Sequence, residues 1–365
     1  MSKRINNLLI AASGTGGHIF PALTIAKVLE IDCEITWLGV KGRCETDLVP
    51  KKYNLHKLSI ETPRKKNIFL WIQYLRIILA TFQVIRIIRR RNIQIVFTTG
   101  GYISAPTILA SKFLNIPVLI HESNLVPGTV TKYFGRFSDL VLTGFERTNL
   151  SLPDCKTLFT GTPIRDQFDL NNRLPIWVPR GEGPLILVMG GSQGSRGVNE
   201  IVYDSLDILL ENDIRIVHIL GENEKINLDV KNSKNYIQIE FTNDIAALMQ
   251  NCDLVISRSG ALTINELIKT NKPSILITFP NSKNDHQEKN ALFLSSIGGS
   301  IIINQNNNSK SYLRKTLIRI FNLENFSDRK NSMILEIMKN NMAKLKNNNP
   351  REAIQKIIYS TLKDL

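Results

Sequence analysis

The chain has 365 residues, which corresponds to about two domains of roughly 150 residues each. Hydrophobic residues make up 43% and charged residues 21%, so a wholly disordered or fibrous protein is excluded. The 46 Lys and Arg residues exceed the 32 Asp and Glu residues, and the net charge of +14 favours a phosphate-rich partner or an anionic membrane surface.

Each half of the chain begins with a predicted strand, a glycine-rich loop and a predicted helix. These are residues 7–12, 13–18 and 19–30 in the first half, and residues 184–189, 190–197 and 198–210 in the second. A glycine turn between a strand and a helix lets backbone N–H groups and the helix dipole approach an anion. Two such loops predict two phosphate-bearing ligands between two domains, and the alternative for each loop is a tight turn alone.

A basic segment follows the first loop. Residues 62–121 contain nine Lys or Arg and no acidic residue. The helical pattern over residues 68–88 includes two arginines, which argues against a membrane-spanning helix and favours an interfacial one. The predicted membrane-docking side chains are Trp71, Leu75, Ile78, Leu79 and Phe82. The alternative is that this apolar arc belongs to the domain core.

Short apolar runs recur in both halves and predict further strands. They are residues 34–38, 93–97, 118–120 and 140–142, then residues 214–220, 236–239, 254–256 and 274–278. Such runs separated by helical patterns predict parallel sheets covered on both faces, hence an α/β fold of two Rossmann-like, doubly wound domains. The predicted domains are residues 1–162 and 184–345, with a linker at 163–183 and a final helix at 346–365 that is free to pack back on the N-terminal domain.

The two loops lack the usual cofactor signatures. Ile19 stands where a dinucleotide fingerprint needs its third glycine, and the chain has no Gly-Lys-Ser/Thr of a Walker A loop. The second loop does match G-x-S-x-G, and Ser192, Asp253 and His286 follow the chain order of a hydrolase triad. A serine hydrolase is therefore an alternative, although it leaves the first glycine loop unexplained.

A third helix start follows the predicted strand at 254–256. Residues 257–260 are Ser-Arg-Ser-Gly, which suit the beginning of a helix with a positive dipole end. Glu266 follows within the first two turns, where a carboxylate can accept both hydroxyls of a ribose. The alternative is an ordinary glutamate that lies on the helix surface or complements the helix dipole.

Six motifs, in consistent order over residues 7 to about 300, together resemble the MurG glycosyltransferases. They are Gly-Thr-Gly-Gly-His at 14–18, Thr-Gly-Gly-Tyr at 99–102, His121-Glu122-x-Asn124, Gly190-Gly191-Ser-Gln-Gly194, Ser-Arg-Ser-Gly-Ala-Leu-Thr at 257–263 with Glu266, and Asp285-x-Gln287-x-x-Asn290-Ala291. The chain departs from the family pattern at Ser123, Thr162 and Glu288. The resemblance implies two Rossmann-like domains facing a cleft, the GT-B architecture. It also implies inverting transfer of N-acetylglucosamine from UDP-GlcNAc to the C4 hydroxyl of MurNAc in lipid I, which gives lipid II for peptidoglycan synthesis.

The resemblance also assigns residues to the donor UDP-GlcNAc. They are Thr15, Gly16, Gly17, Asn124, Arg165, Gly191, Ser192, Ile245, Ala261, Leu262, Thr263, Ile264, Asn265, Glu266 and Gln287. Ser192 and Arg165 are assigned to the diphosphate, Ile245 to uracil, Glu266 to the ribose and Gln287 to the sugar hydroxyls. His18 is the candidate general base, because its ordinary pKa of ~6.5 suits proton transfer at neutral pH. The alternative role of His18 is orienting its loop or binding acceptor phosphate, and Glu122 is the second candidate base.

The expected partners are UDP-GlcNAc, lipid I and the anionic cytoplasmic leaflet of the inner membrane, where the protein is expected to be peripheral. Other cell-wall or division proteins are compatible with this role. No metal or other cofactor is expected, because the chain contains no Asp-x-Asp pair. Nucleic acid is not expected, since no recognisable nucleic-acid-binding module occurs in the sequence. A non-catalytic UDP-sugar-binding module is the remaining alternative.

Overall fold

The computed structural model describes residues 6–43, 45–60, 70–191, 193–226, 233–279, 285–323, 332–345 and 349–364. The chain divides into two compact units, one of Met1–Arg165 with Asn348–Leu365 and one of Asp166–Asn347. Both units contain a parallel sheet with helices between consecutive strands, so the predicted α/β, Rossmann-like fold is confirmed.

The first unit contains a seven-stranded sheet, counted over its described residues. Its strands are β1 (Asn6–Ala11), β2 (Cys33–Val40), β3 (Asn54–Leu58), β4 (Ile95–Thr98), β5 (Val118–Glu122), β6 (Leu140–Thr143) and β7 (Thr157–Phe159). Its helices are α1 (Gly16–Leu29), α2 (Glu45–Leu48), α3 (Leu70–Arg90), α4 (Ser104–Phe113), α5 (Thr129–Phe134) and, from the end of the chain, α13 (Pro350–Lys363). The strand order is β3-β2-β1-β4-β5-β6-β7, and every neighbouring pair is parallel.

Strand β1 is buried on both faces of this sheet. Leu8 and Ile10 belong to the core cluster on one face, together with residues of α1 and α13. Leu9 and Ala11 belong to the cluster on the other face, which includes residues of α3 and α4. This explains why the strand is continuously apolar in sequence.

The second unit repeats this plan, with a six-stranded sheet within the described part of the chain. Its strands are β8 (Leu185–Met189), β9 (Arg215–Ile219), β10 (Tyr236–Ile239), β11 (Leu254–Ser257), β12 (Ser274–Thr278) and β13 (Ser300–Asn304). Its helices are α6 (Arg196–Tyr203), α7 (Leu206–Glu211), α8 (Ile245–Asn251), α9 (Ala261–Thr270), α10 (His286–Ser296), α11 (Ser309–Phe321) and α12 (Met333–Ala343). The strand order is β10-β9-β8-β11-β12-β13.

Both sheets have a topological switch point, where the chain stops adding strands to one side and begins adding them to the other. The switch lies between β1 and β4 in the first unit and between β8 and β11 in the second. In open α/β sheets, ligands bind outside the carboxyl ends of the strands at this point. The two glycine loops follow β1 and β8 and therefore lie at the two switch points.

The structure differs from the predicted elements in a few places. Strands β3, β7 and β13 were not predicted, and each of them is an edge strand of its sheet. The predicted helix at 198–210 is divided into α6 and α7, and residues 166–183 are grouped with the second unit. Within the described ranges, no helix is long and apolar enough to cross a membrane.

Candidate active site

His18 lies in the first turn of α1 and is held by the loop that follows β4. Its ring nitrogen Nδ1 lies 2.7 Å from the carbonyl oxygen of Thr99, and the Thr99 hydroxyl donates to the His18 carbonyl at 2.9 Å. A carbonyl can only accept, so Nδ1 carries a proton, and the second ring nitrogen, Nε2, is the one left to exchange a proton with a substrate. The switch point of the first unit therefore holds an oriented imidazole with its basic nitrogen available.

The loop after β4 approaches this ring closely. Gly101 has a φ of +78°, and a Cβ placed there would lie 3.8 Å from the Nε2 of His18. A residue with a side chain would be strained in this left-handed conformation. The Thr-Gly-Gly segment at 99–101 thus brings backbone into van der Waals range of the imidazole.

Glu122, the second candidate base, has a different environment. It is 3% exposed, and its carboxylate accepts four hydrogen bonds. Oε1 accepts from the backbone and side-chain nitrogens of Asn124, each at 3.1 Å. Oε2 accepts from the Gly128 backbone at 2.9 Å and from the Thr131 hydroxyl at 2.7 Å. With its acceptor positions occupied, this carboxylate organises the loop after β5 and is poorly placed to take a proton from a substrate.

Arg165 ends the first unit and lies beside the N-terminal turn of α1. Its guanidinium carbon is 5.1 Å from the ring centre of Phe20, which is a cation–π distance. Thr15, at the N-cap, makes no side-chain capping bond, and the first turn of α1 contains no acidic residue. A positive side chain and the positive end of a helix dipole therefore occur in the same unit as His18.

The second glycine loop is shaped by a close backbone contact. Gly194 and Gly221 have φ angles of +82° and +99°, and a Cβ on Gly221 would lie 2.0 Å from the Cα of Gly194. Only two glycines can pack in this way. Gly191, in contrast, is exposed, and Ser192 lies outside the described residues.

Arg258 was not among the predicted site residues, although it is part of a quoted motif. It follows β11, on the other side of the switch point from the second glycine loop. Its side chain donates to the Ser195 hydroxyl at 3.0 Å, the Ile277 carbonyl at 3.0 Å and the Gln305 side-chain oxygen at 2.6 Å. Burial lowers its pKa to about 10. These contacts could not be predicted from local sequence, because Ser195 and Gln305 are far from Arg258 along the chain.

In the second unit, Glu266 is buried and Gln287 is partly buried. Glu266 is 2% exposed on α9, so it is not a glutamate on the helix surface. The Oε1 atom of Gln287 is buried and has no hydrogen-bond partner among the described residues. An unsatisfied buried acceptor is unfavourable, and a ligand hydroxyl would satisfy it.

The other residues assigned to the donor have defined places in this unit. Ala261, Leu262, Thr263, Ile264 and Asn265 form the beginning of α9, whose N-cap Gly260 provides no side-chain cap. The Asn265 side chain donates to the Ala261 carbonyl at 2.8 Å and is used within the helix. Ile245 is the first residue of α8. The open N-terminus of α9 lies at the carboxyl end of β11, where an anion would be stabilised.

The proposed hydrolase triad is contradicted by the position of Asp253. This residue precedes β11, and its carboxylate accepts from the Leu185 backbone at 2.7 Å, at the amino end of β8. The glycine loop follows the carboxyl end of the same strand. Because β8 and β11 are parallel, Asp253 lies at the amino ends of these strands and the loop lies at their carboxyl ends. Asp253 therefore cannot orient a histidine beside the loop.

The apolar arc of α3 is exposed and is not part of the core. Leu75, Ile78, Leu79 and Phe82 are 47–64% exposed, whereas the opposite side of the helix buries Ala80, Val84 and Ile88. The side chain of Trp71 lies outside the described part of this helix. An exposed apolar stripe of this kind is typical of an interaction surface.

Comparisons with known proteins cover both units. Residues 8–143 match the glycosyltransferase family 28 N-terminal domain, and residues 185–348 match the glycosyltransferase family 28 C-terminal domain. Together these matches include most of the chain and both switch points.

Relatives of known name are similar over their full length. The chain is 59% identical to the UDP-N-acetylglucosamine–N-acetylmuramyl-(pentapeptide) pyrophosphoryl-undecaprenol N-acetylglucosamine transferase of Prochlorococcus marinus strain MIT 9215, with 100% of both chains covered. It is 46% identical to the protein of that name from strain NATL2A, with 97% of this chain and 99% of the relative covered.

Solved glycosyltransferase structures are similar to this chain over nearly their whole length. The MurG of Acinetobacter baumannii superposes with a TM-score of 0.74 at 26% identity, covering 97% of this chain and 99% of that one. CalG4, a calicheamicin glycosyltransferase, superposes with a TM-score of 0.67 at 13% identity, covering 99% of both chains, which shows a shared fold alone.

Proposed function

The chain belongs to glycosyltransferase family 28 and to its MurG members, and we propose that it transfers N-acetylglucosamine from UDP-GlcNAc to lipid I. The product is lipid II, the precursor of peptidoglycan. The full-length identity of 59% to a protein named for this transfer carries the proposal. The oriented imidazole at the first switch point supplies the chemistry that the reaction needs.

His18 acts as the general base in this proposal. Its Nε2 takes the proton from the C4 hydroxyl of MurNAc while that oxygen attacks the anomeric carbon of the donor sugar. The bond from the anomeric carbon to the diphosphate breaks, its electron pair leaves with UDP, and the configuration is inverted. The Thr99 carbonyl holds Nδ1–H at 2.7 Å and stabilises the imidazolium that forms.

Glu122 serves as a positioning residue. Its four accepted hydrogen bonds fix the loop that carries Asn124, one of the residues assigned to UDP-GlcNAc. This arrangement supports His18 over Glu122 as the base, because both oxygens of the Glu122 carboxylate already accept hydrogen bonds from the protein.

The donor is bound mainly by the second unit. The leaving diphosphate is stabilised by the loop of Gly191 and Ser192, by the N-terminus of α9 and by Arg165. Glu266 accepts the ribose hydroxyls, Ile245 meets uracil through its backbone, and the buried oxygen of Gln287 accepts from a sugar hydroxyl. Thr15, Gly16 and Gly17, in the glycine loop of the first unit, are the remaining residues that we assign to the donor.

The acceptor is attached to a lipid, so the enzyme must work at a membrane surface. The exposed stripe of Leu75, Ile78, Leu79 and Phe82 on α3 supports peripheral docking. Basic residues beside it favour the anionic cytoplasmic leaflet of the inner membrane.

Donor binding and covalent labelling test this proposal against the two alternatives. We expect calorimetry to detect UDP-GlcNAc binding that weakens at least tenfold in Gln287→Ala, and we expect no labelling of Ser192 by a fluorophosphonate. Labelling that Ser192→Ala abolishes would support a hydrolase instead. UDP-GlcNAc binding without any transfer to a lipid I analogue would indicate a non-catalytic binding module.

A further inference from the structure

A segment at the beginning of the second unit is bonded along helix α8. This segment consists of residues 166–177 and is named the strap. The Gln250 side chain, near the end of α8, donates to the carbonyls of Phe168 at 3.3 Å and Leu170 at 2.8 Å. Its oxygen accepts from the backbone and side-chain nitrogens of Asn172, at 3.1 and 2.9 Å. Both ends of this one amide group therefore hold the first part of the strap.

The last residue of the strap contacts the other end of α8. The indole nitrogen of Trp177 donates to Oδ2 of Asp244 at 3.3 Å, and Asp244 is the N-cap of the helix. The same carboxylate oxygen accepts from the Thr242 hydroxyl at 3.4 Å, and the Thr242 oxygen accepts from the Asp244 backbone N–H at 3.0 Å. The strap is therefore bonded at both ends of α8, and its second bond reaches the turn between β10 and α8.

Trp177 is anchored in turn by the residues that follow it. Val178 is buried, at 5% exposed. The carbonyls of Pro179 and Gly183 accept from the Arg215 side chain, at 3.1 and 2.8 Å, at the beginning of β9. The indole therefore lies on a segment that is held to α8 on one side and to β9 on the other, which restricts the position of its N–H.

From these contacts we propose that Trp177 is a positioning residue for the nucleobase of the donor, acting through Asp244. Ile245, the next residue, meets uracil through its backbone in the proposed function, on which this inference rests. A backbone group recognises a base only where it is held in place, because hydrogen bonds weaken steeply as their distance and angle change. The bond from Trp177 to Asp244 holds this backbone, whereas the ribose and the diphosphate are assigned to other parts of the unit.

A comparison of UDP with CDP tests this role. The two nucleotides share the ribose and the diphosphate and differ in the base, where N3 of uracil donates a hydrogen bond and N3 of cytosine accepts one. Trp177→Phe keeps an aromatic ring and removes the indole N–H. We expect calorimetry to show about 5- to 10-fold weaker binding of UDP, the usual effect of one lost hydrogen bond, and a CDP affinity within about twofold of the unmodified protein. An unchanged UDP affinity, or an equal loss for both nucleotides, would overturn the proposal.

Asp169→Asn is the matched control, since it also removes one contact of the strap. Asp169 forms an ion pair with Lys269 of α9 at 2.8 Å, and the two side chains are 37% and 36% exposed. Ion pairs exposed to solvent contribute little, so this variant should bind UDP within about twofold of the unmodified protein. A loss as large as that of Trp177→Phe would assign the effect to the strap as a whole and would overturn the specific role of Trp177.

A double-mutant cycle tests whether Trp177 acts through Asp244. Asp244→Ala removes the acceptor of the indole N–H. Trp177→Phe should therefore change the UDP affinity of the Asp244→Ala protein by less than about twofold, because the bond is already absent. If the losses of the two single variants multiplied instead, Trp177 would act independently of Asp244 and the proposal would be wrong.

Steady-state kinetics separates this inference from the proposed function. In Trp177→Phe, the KM for UDP-GlcNAc should rise by the factor found for UDP, and kcat should stay within about twofold, since the bond contributes to binding alone. Failure of the unmodified protein to transfer sugar would contradict the proposed function, and the comparison of UDP with CDP would still decide the role of Trp177. Transfer by the unmodified protein, with an unchanged KM in Trp177→Phe, would contradict this inference alone.

Discussion

At the scale of single residues, the proposed reaction depends on proton transfer from the acceptor hydroxyl to His18. Asparagine at this position keeps a donor near the place of Nδ1, which bonds the Thr99 carbonyl at 2.7 Å, but has no atom corresponding to Nε2. We expect His18→Asn to fold normally, to retain UDP-GlcNAc affinity and to lose ~10²-fold or more in kcat, the usual contribution of a general base. Calorimetry and steady-state kinetics measure these quantities. A kcat within a few-fold of the unmodified enzyme would assign His18 to loop orientation only.

A second histidine makes stability depend on pH. His121 is fully buried, with Nε2 donating to the Gly161 carbonyl at 3.0 Å, and burial lowers its pKa to about 4. Between pH 6.5 and 4 the unfolded chain therefore binds a proton that the folded chain excludes, and stability falls as the pH falls. The expected loss from pH 7 to pH 5 is roughly 2 kcal/mol.

Glutamine at position 121 can keep the bond to Gly161 without titrating. We therefore expect His121→Gln to lack that part of the pH dependence, as measured by hydrogen exchange of the β5 amides at the two pH values. Burial also lowers the pKa of His218, in the second unit. Protonation of His218 should not change the exchange rates of the β5 amides, which belong to the first unit. An identical pH dependence in His121→Gln would contradict this assignment.

At the scale of elements, the second glycine loop depends on backbone packing. A Cβ at Gly194 would lie 2.4 Å from the Leu220 carbonyl oxygen, whereas one at Gly191 would meet nothing within 4 Å. Both residues have positive φ, so alanine at either position adds strain. We expect Gly194→Ala to destabilise the second unit by about 3 kcal/mol and Gly191→Ala by about 1 kcal/mol. Thermal unfolding compares the two variants, and equal losses would show that steric contact is unimportant here.

The elements differ in how well the sequence predicts them. Buried central strands such as β8 and β11 are continuous apolar runs, and their positions agree closely with the structure. The edge strands β3 and β7 are short and carry polar or exposed residues, so their pattern resembles that of loops. The exposed arc of α3 was predicted from its spacing and from the basic residues around it. Only the structure shows that the residues of this arc are exposed and that the core residues of α3 lie on its opposite side.

The site was predictable only in part, for a related reason. Motifs gave the residue types, but the bond between His18 and Thr99 joins residues 81 positions apart, and only the parallel pairing of β1 with β4 brings them together. The four hydrogen bonds that the Glu122 carboxylate accepts and the contacts of Arg258 also depend on the tertiary structure. Local sequence therefore indicated the candidate residues, and the fold showed which hydrogen bonds His18 and Glu122 each make.

At the scale of the whole molecule, two similar units each have a glycine loop at the switch point of their sheet. The final helix α13 belongs to the first unit, where it buries Ile354 and Ile358 in the core beside α1. The second unit, Asp166–Asn347, therefore lies along the chain between two parts of the first unit. In the proposed function, the first unit provides the base and the second unit binds most of the donor.

The most direct test of this account is transfer of labelled N-acetylglucosamine from UDP-GlcNAc to a lipid I analogue in the presence of EDTA. We expect a labelled lipid II product from the unmodified protein, and none above ~1% of that rate from His18→Asn. Absence of product from a folded protein that binds UDP-GlcNAc would contradict the transferase assignment. Product that forms equally well with His18→Asn would contradict the proposed mechanism.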